Sequence, residues 1–185
     1  SNTMIRAGLP VSSFYGYIVE GIFQSEEQIK ASPLQPFAKP GDIKFKDVHG
    51  NGTITDADRA IIGNPTPKWV YGMTNAFAYK GIQLNVFLQG VRGNQIYNVT
   101  RQRRESMLGQ FNGSLNTLNR WHSPELPGDG GMPRAVAVDR NSNSRFSTRW
   151  IEDGSFLRVR NISLTYNWPQ PLLSKMHLKG LRTYV

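Results

Sequence analysis

Between Trp69 and Gly90 the sequence alternates so regularly that an extended chain accounts for it and a helix does not. Ile82, Leu84, Val86 and Leu88 share one parity, and Gln83, Asn85, Phe87 and Gln89 share the other. Successive side chains of a strand point to opposite faces, so this arm has one apolar side. The preceding arm places Trp69, Tyr71, Met73, Phe77 and Tyr79 on one parity, with Val70, Gly72, Thr74, Ala76 and Ala78 on the other. Lys80-Gly81 lies between the arms as a two-residue turn, which makes the segment a long β-hairpin. Each arm is about 9–11 residues, the length a tilted strand needs to cross a bilayer. A hairpin in a soluble sandwich alternates in the same way, so the pattern leaves a transmembrane barrel and a sandwich both open.

The rest of the chain reads as further strands joined by punctuated segments. Ser12 to Phe23 is aromatic and β-branched and predicts a strand. Ser25-Glu26-Glu27 supplies a cap and first-turn acids for a short helix near 25–32, and Pro33, Pro36 and Pro40 end it. Asn98 to Asp153 shows no sustained period and is rich in Asn, Ser, Gly, Pro and Arg, so it predicts a long loop. Such a stretch is unusual in a compact soluble domain but ordinary on the outer side of a membrane barrel. In Phe156–Trp168 the apolar residues change parity near Arg160-Asn161, which predicts a β-bulge. Pro169 and Pro171 force a turn, and Gly180 to Val185 begins another strand. Ser1 to Val11 has no strong period and is set outside the expected fold.

Composition removes several chemistries. With no Cys there is no disulfide framework, thiolate metal site or thiol nucleophile. No apolar run reaches about 18 residues, so there is no membrane helix, which leaves a barrel untouched. The net charge of +9 is uneven: residues 1–60 carry 6 Lys and Arg against 7 Asp and Glu, whereas residues 61–185 carry 16 against 6. Ten of those 16 are arginines between Arg101 and Arg160. No zinc-finger, helix-turn-helix or RNA-recognition signature accompanies them, so no nucleic-acid partner is expected. His49, His122 and His177 lie far apart, and neither an HExxH nor a GxSxG motif occurs. Glu152-Asp153 reads as part of a turn, and the glycines near 90–94 and 128–131 lack the Lys-Ser/Thr of a phosphate loop. No enzyme is expected.

One segment has ligand-type spacing. Asp47 to Asp58, DVHGNGTITDAD, puts Asp47, Asn51 and Asp58 at loop positions one, five and twelve of a calcium-loop pattern, with Gly52 at the sharp turn. Asp47, Asn51, the Thr53 carbonyl and Asp58 are the candidate metal ligands, and calcium is the one cofactor considered. His49 at position three and the short Asp58 at position twelve favour instead a cation-free, Asx-rich turn.

The run PGDIKFKDVHGNGTITDADRAIIGNPTPKWVYGMTNAFAYKGIQLNVFLQGVRGNQIYN, Pro40 to Asn98, resembles the C-terminal barrel region of SusC/RagA-type TonB-dependent outer-membrane transporters. FYGYIVEGIFQSEEQI (Phe14–Ile29), Arg120-Trp121, WIEDGSFLRVRNISLTYNWP (Trp150–Pro169) and LRTYV (Leu181–Val185) extend the resemblance over nearly the whole chain. His49 and Asn51 depart from the residues usual in the family's loop.

The resemblance implies an all-β fold of antiparallel strands forming part of a transmembrane β-barrel, incomplete in this chain, with long outer loops. The 185 residues are then a single partial domain. It comprises a leader at 1–11, strands and the calcium-type loop at 12–98, a long outer loop at 99–153 and late strands at 154–185, without the plug. The implied function is a share of the barrel wall and outer loops of a nutrient importer for glycans or peptides in the outer membrane of a Gram-negative bacterium. Its implied partners are a SusD-like lipoprotein, TonB through the absent N-terminal part, and outer-membrane lipid or lipopolysaccharide. Ile82, Leu84, Val86 and Leu88 would face lipid, and Arg101, Arg103, Arg104 and Trp121 would make outer-loop contacts. The alternative from another class is a secreted carbohydrate-binding module with a calcium-stabilised loop, stacking sugars on Trp69, Tyr71 or Trp121.

Overall fold

The computed structural model describes residues 1–108 and 112–185. In chain order the elements are β1 (Thr3–Met4), β2 (Ser13–Gly16), β3 (Val19–Ile22), α1 (Glu26–Lys30), β4 (Ile43–Phe45), β5 (Ala60–Gly63), β6 (Trp69–Tyr79) and β7 (Ile82–Arg92). They continue with β8 (Gln95–Tyr97), α2 (Val99–Glu105), β9 (Ile151–Asp153), β10 (Phe156–Asn167), α3 (Gln170–Lys175) and β11 (Arg182–Tyr184). Short 3-10 turns occupy Asp56–Asp58, Leu115–Asn119 and Thr148–Trp150. Every pairing between these strands is antiparallel, so the chain is all-β with short helices, as expected.

The chain divides into two compact units. The sheet unit is Pro67–Asn94 with Gly154–Val185, and the loop unit is Ser1–Thr66 with Gln95–Asp153. The sheet unit is one four-stranded sheet in the order β11-β10-β7-β6. Its hairpin forms in the predicted register, Tyr79 opposite Ile82 and Trp69 opposite Arg92. Lys80 and Gly81 both take positive φ, 44° and 86°, the turn whose twist matches that of the strands it joins. The bulge forms where parity changes, with Val159 opposite Leu88 and Asn161 opposite Phe87, leaving Arg160 as the extra residue. β6 and β11 each have one strand neighbour among the described residues, so the sheet is an open section of wall.

The loop unit is built from short strands, β1-β2-β5, β3-β4 and β8-β9. Three expectations change here. Ser12–Phe23 is two strands in different sheets, because Tyr17 leaves β2 to donate its N–H to Phe146 and accept from Thr148. Thr3-Met4, placed outside the fold by sequence, pair with Ser13-Phe14. The stretch 99–153 is more than loop: it supplies α2 and β9, and Trp150, fully buried, donates through Nε1 to the Arg145 carbonyl. The short helix sits where predicted, with Ser25 accepting from the Gln28 N–H as its cap.

Buried polar side chains tie the loop unit together. β4 pairs with β3 along one edge, and side chains satisfy its other edge. Gln35 accepts from the Phe45 N–H and donates to the Ile43 carbonyl, Asn141 donates to the same carbonyl, and Asn143 accepts from the Ile43 N–H. Asp42, buried, takes two hydrogen bonds from Arg134 at 2.8 and 3.1 Å and one from Asn143. Arg145 stacks its guanidinium on Tyr17 and Phe45, the aromatic part of the unit's core.

Candidate functional site

The bulge at Arg160 gives the sheet unit its surface. Without it, Leu157 and Val159 would face opposite to Ile162, Leu164 and Tyr166. With it, all five pair across to Gly90, Leu88, Val86, Leu84 and Ile82 on the face that also carries Trp69, Tyr71, Met73, Phe77 and Tyr79. Three strands of 11, 11 and 12 residues thus present one largely apolar face, interrupted by Asn75 opposite Val86. That face is open: Trp69, Phe77, Tyr79, Leu157 and Ile162 are each more than 60% exposed. Gly90 lies on it opposite Tyr71, whose ring covers the position so closely that a Cβ there would meet Cζ at 2.5 Å. The other face carries Thr74, Ala76, Ala78, Gln83, Asn85, Gln89, Arg158, Ser163 and Thr165, with Val70, Phe87, Val91 and Phe156 among them.

Aromatic rings mark both ends of the apolar face. Trp69 and Tyr71 stand at one end, and Tyr79 and Tyr166 at the other, where Tyr166 packs edge-on against Trp168 at 5.4 Å. Ten strand residues at about 3.4 Å each span roughly 34 Å, which a barrel-like tilt reduces to roughly 25 Å of height, the apolar thickness of an outer-membrane barrel. The predicted residues Ile82, Leu84, Val86 and Leu88 all lie on this face. Sequence reasoning did not note a further feature: the sheet unit contains eight Lys and Arg and no Asp or Glu, so all 13 acids belong to the loop unit.

The calcium-type loop folds around its own amides. Asp47 accepts from the N–H groups of Gly50 and Gly52 at 2.6 and 2.7 Å. Asp58, buried, accepts from the N–H groups of Val48, His49 and Thr55 and from the Thr55 hydroxyl. Asn51 accepts from the Thr53 N–H, and Thr53 bridges to Leu34. The structure brings Asp47 and Asp58 together, and Asp58 is held at a pKa of about 2. Burial alone would raise it, but the hydrogen bonds from Thr55 and His49 outweigh that cost. Backbone N–H groups occupy the side-chain oxygens that calcium would need. Among the described residues no three His, Cys, Asp or Glu gather into a metal-holding group. This donor set fits an amide-lined turn rather than a calcium loop.

The four outer-loop candidates separate. Arg103 and Arg104 are exposed on α2. Arg101 is engaged, bonding Glu105 at 2.9 Å and Glu152 at 3.2 Å. Glu105 is only 2% exposed and also accepts from Asn116 and Ser114. Burial raises its pKa, and the bonds from Asn116 and Arg101 more than reverse this, so it stays below the ordinary 4.5. Trp121 is a correction: it is buried, lies against Gly41 and donates to Gln24 at 3.1 Å, so it serves the loop unit's packing rather than an outside contact.

No protein-family model matches the chain. It is 34% identical over 183 residues to TonB-dependent receptor P3 of Formosa agariphila, covering 98% of this chain and 18% of that protein. It is 27% identical over 187 residues to TonB-dependent receptor SusC of Bacteroides thetaiotaomicron, covering 98% of this chain and 16% of SusC. The solved structure of the RagAB peptide transporter superposes with a TM-score of 0.76 at 24% identity, over 99% of this chain and 19% of that one. The chain thus spans less than a fifth of the length of each.

Proposed function

We propose, since the chain belongs to the SusC/RagA family of TonB-dependent receptors, that its sheet unit is a section of barrel wall in a nutrient importer of the Gram-negative outer membrane. The observation that carries this reading is the exposed apolar face shared by β6, β7 and β10, banded by aromatic residues at both ends. The chain leaves the sheet unit after Asn94 and before Pro67 and Gly154, all at the end of the sheet opposite the Lys80-Gly81 turn. Outer-membrane barrels put tight turns on the periplasmic side and long insertions outside. On that rule the end of the sheet at which these connections leave is the outer one, where a SusD-like lipoprotein would meet the receptor and where the cargo, glycan or peptide, would be captured. Energy would come through TonB acting on a plug outside these residues. The relatives are receptors and transporters, and nothing in the site performs covalent chemistry.

The carbohydrate-binding alternative loses its support. It needs stacking rings on a calcium-stabilised scaffold; Trp121 is buried, the exposed Trp69 and Tyr71 belong to the apolar sheet face, and the loop carboxylates are spent on amides.

Lipid-phase quenching tests the proposal. Leu84→Cys, Val86→Cys, Gln83→Cys and Asn85→Cys are introduced singly into the full-length receptor, labelled with a fluorophore and placed in bilayers containing brominated lipid. Positions 84 and 86 are expected to be quenched and positions 83 and 85 to be spared. Equal quenching at both parities would overturn the assignment.

A further inference from the structure

We infer that the turn-side end of the sheet unit is a docking surface for anionic phospholipid head groups, with the connection around α3 lying in the bilayer interface. The inference rests on the barrel-wall reading and names a lipid contact within it. β10 ends at Asn167 and β11 begins at Arg182, a connection of 14 residues where the neighbouring hairpin uses two. Within it Leu173 is buried, while Leu172, Met176 and Leu178 are 40%, 53% and 42% exposed. Lys175 and Lys179 are exposed beside them, and Lys80 joins them from the adjacent turn, where the Asn167 N–H bonds the Gly81 carbonyl. Exposed apolar side chains interleaved with lysines are the composition of an interfacial segment, in which methylene and thioether groups sink among acyl chains while ammonium groups stay with phosphates.

Three independent features select an anionic lipid surface as the occupant. First, this end is continuous with the apolar sheet face: Tyr79, Tyr166 and Trp168 lead directly into the connection. Second, the charge has one sign. No acid occurs anywhere in the sheet unit, so within it nothing offsets Lys80, Lys175, Lys179 and Arg182. A solvated protein surface ordinarily mixes both signs, whereas a surface facing phosphates gains from each Lys and loses from each Asp or Glu. Third, the connection is internally tied and holds its shape. Gln170 donates to the Lys179 carbonyl, Leu178 N–H to the Leu173 carbonyl, and Trp168 N–H to the Leu181 carbonyl. The lysines are therefore presented on a formed surface rather than on a floppy tail.

The test uses the full-length receptor in nanodiscs of phosphatidylcholine, with or without phosphatidylglycerol, and native mass spectrometry of the lipids it retains. The unmodified receptor is expected to enrich phosphatidylglycerol at low salt and to lose the enrichment at high salt. The triple variant Lys80→Gln, Lys175→Gln, Lys179→Gln should weaken that preference by about tenfold or more, while the matching Lys→Arg triple retains it. A Gln triple that keeps the preference, or an Arg triple that loses it, would overturn the inference. Bromolipid quenching at Met176→Cys separates its failure from that of the barrel wall. Quenching at 84 without quenching at 176 means that protein covers the connection, which ends this inference and leaves the wall intact. Absence of quenching at both positions ends both.

Discussion

The two units of this chain satisfy their polar groups and expose their apolar ones in opposite ways. The loop unit buries Gln35, Asp42, Asp58, Glu105, Asn141 and Asn143 together with Trp150, Phe23 and Phe45. Its charges, 14 basic and 13 acidic, nearly cancel. The sheet unit has Thr165 and Leu173 as its buried side chains among the described residues, exposes most of its aromatic and aliphatic residues, and carries no acid. The loop unit follows the rule for a fold in water, with apolar groups inside and its buried Gln35, Asp42, Asp58, Glu105, Asn141 and Asn143 side chains all hydrogen-bonded, although the Ser147 hydroxyl and Arg149 Nε are buried without a partner. The sheet unit pairs β7 and β10 on both sides and leaves most of its side chains for its surroundings to cover, the arrangement that a wall in lipid would need once the β6 and β11 edges are also paired. One chain therefore carries two solvents' worth of design, and each mutation should be felt according to the unit it strikes.

The largest expected effect uses one residue type in both settings. Trp150→Ala, at a fully buried position of the loop unit, should cost about 3–5 kcal/mol, through lost burial and the cavity left behind. Trp69→Ala, at a site 70% exposed, should cost under about 1 kcal/mol in detergent. Native-state hydrogen exchange on the full-length receptor reads each unit separately. Comparable losses at the two tryptophans would erase the contrast.

Next in size is a charge placed on the sheet. Leu84→Arg should destabilise the folded receptor in vesicles by roughly 2–4 kcal/mol, because the guanidinium must enter hydrocarbon, whereas Gln83→Arg on the opposite face should be tolerated. Urea titration of vesicle-folded protein makes the comparison. A larger penalty at Gln83 would reverse the two faces.

These contrasts also explain what the sequence disclosed. The hairpin, its Lys80-Gly81 turn and the bulge at Arg160 were readable because a sheet with one apolar face writes a period of two along each strand, and a bulge appears as a slip in that period. The loop unit wrote no such pattern. Its strands are two to four residues long, and β4 is completed by Asn141 and Asn143 from about a hundred residues away. Locally those asparagines look like turn residues, and no spacing announces that they cap a distant strand edge. Trp121 was misread for the same reason, since its contact with Gly41 joins segments 80 residues apart. Of the arginines, Arg103 and Arg104 are exposed, whereas Arg101 carried a local clue to its engagement in Glu105 four residues on, an ion-pair spacing on a helix.

That spacing leads to a mid-sized prediction. Arg101→Ala should cost about 1–3 kcal/mol by stripping Glu105 of its charged partner, while Arg103→Ala and Arg104→Ala should change stability by less than about 0.5 kcal/mol. Acid sharpens the test. Glu105 has a folded pKa below its ordinary 4.5, so its contribution is full above that value and is lost as pH falls through the depressed one. In Arg101→Ala the folded pKa moves back up and narrows its gap from 4.5, so the part of the loop unit's stability that is lost on acidification below that value should shrink. A pH profile unchanged by the substitution would show that Arg101 does not hold the Glu105 charge.

The smallest expected effect is that of calcium. A cation at Asp47–Asp58 would have to draw Asp47 away from Gly50 and Gly52 and Asp58 away from Val48, His49 and Thr55, exchanging hydrogen bonds already made for coordination by a set that has His49 at its third position. Five backbone N–H groups and the Thr55 hydroxyl already face the two carboxylates, which offsets their mutual repulsion without an ion. Millimolar calcium or its removal by chelator should therefore leave the protection of the Gly50, Gly52 and Thr55 amides unchanged, whereas Asp58→Ala should expose the Val48, His49 and Thr55 amides at once. A calcium-dependent rise in protection that Asp58→Asn abolishes would show that the loop unit, too, relies on a group supplied from outside, and the contrast with the sheet unit would weaken accordingly.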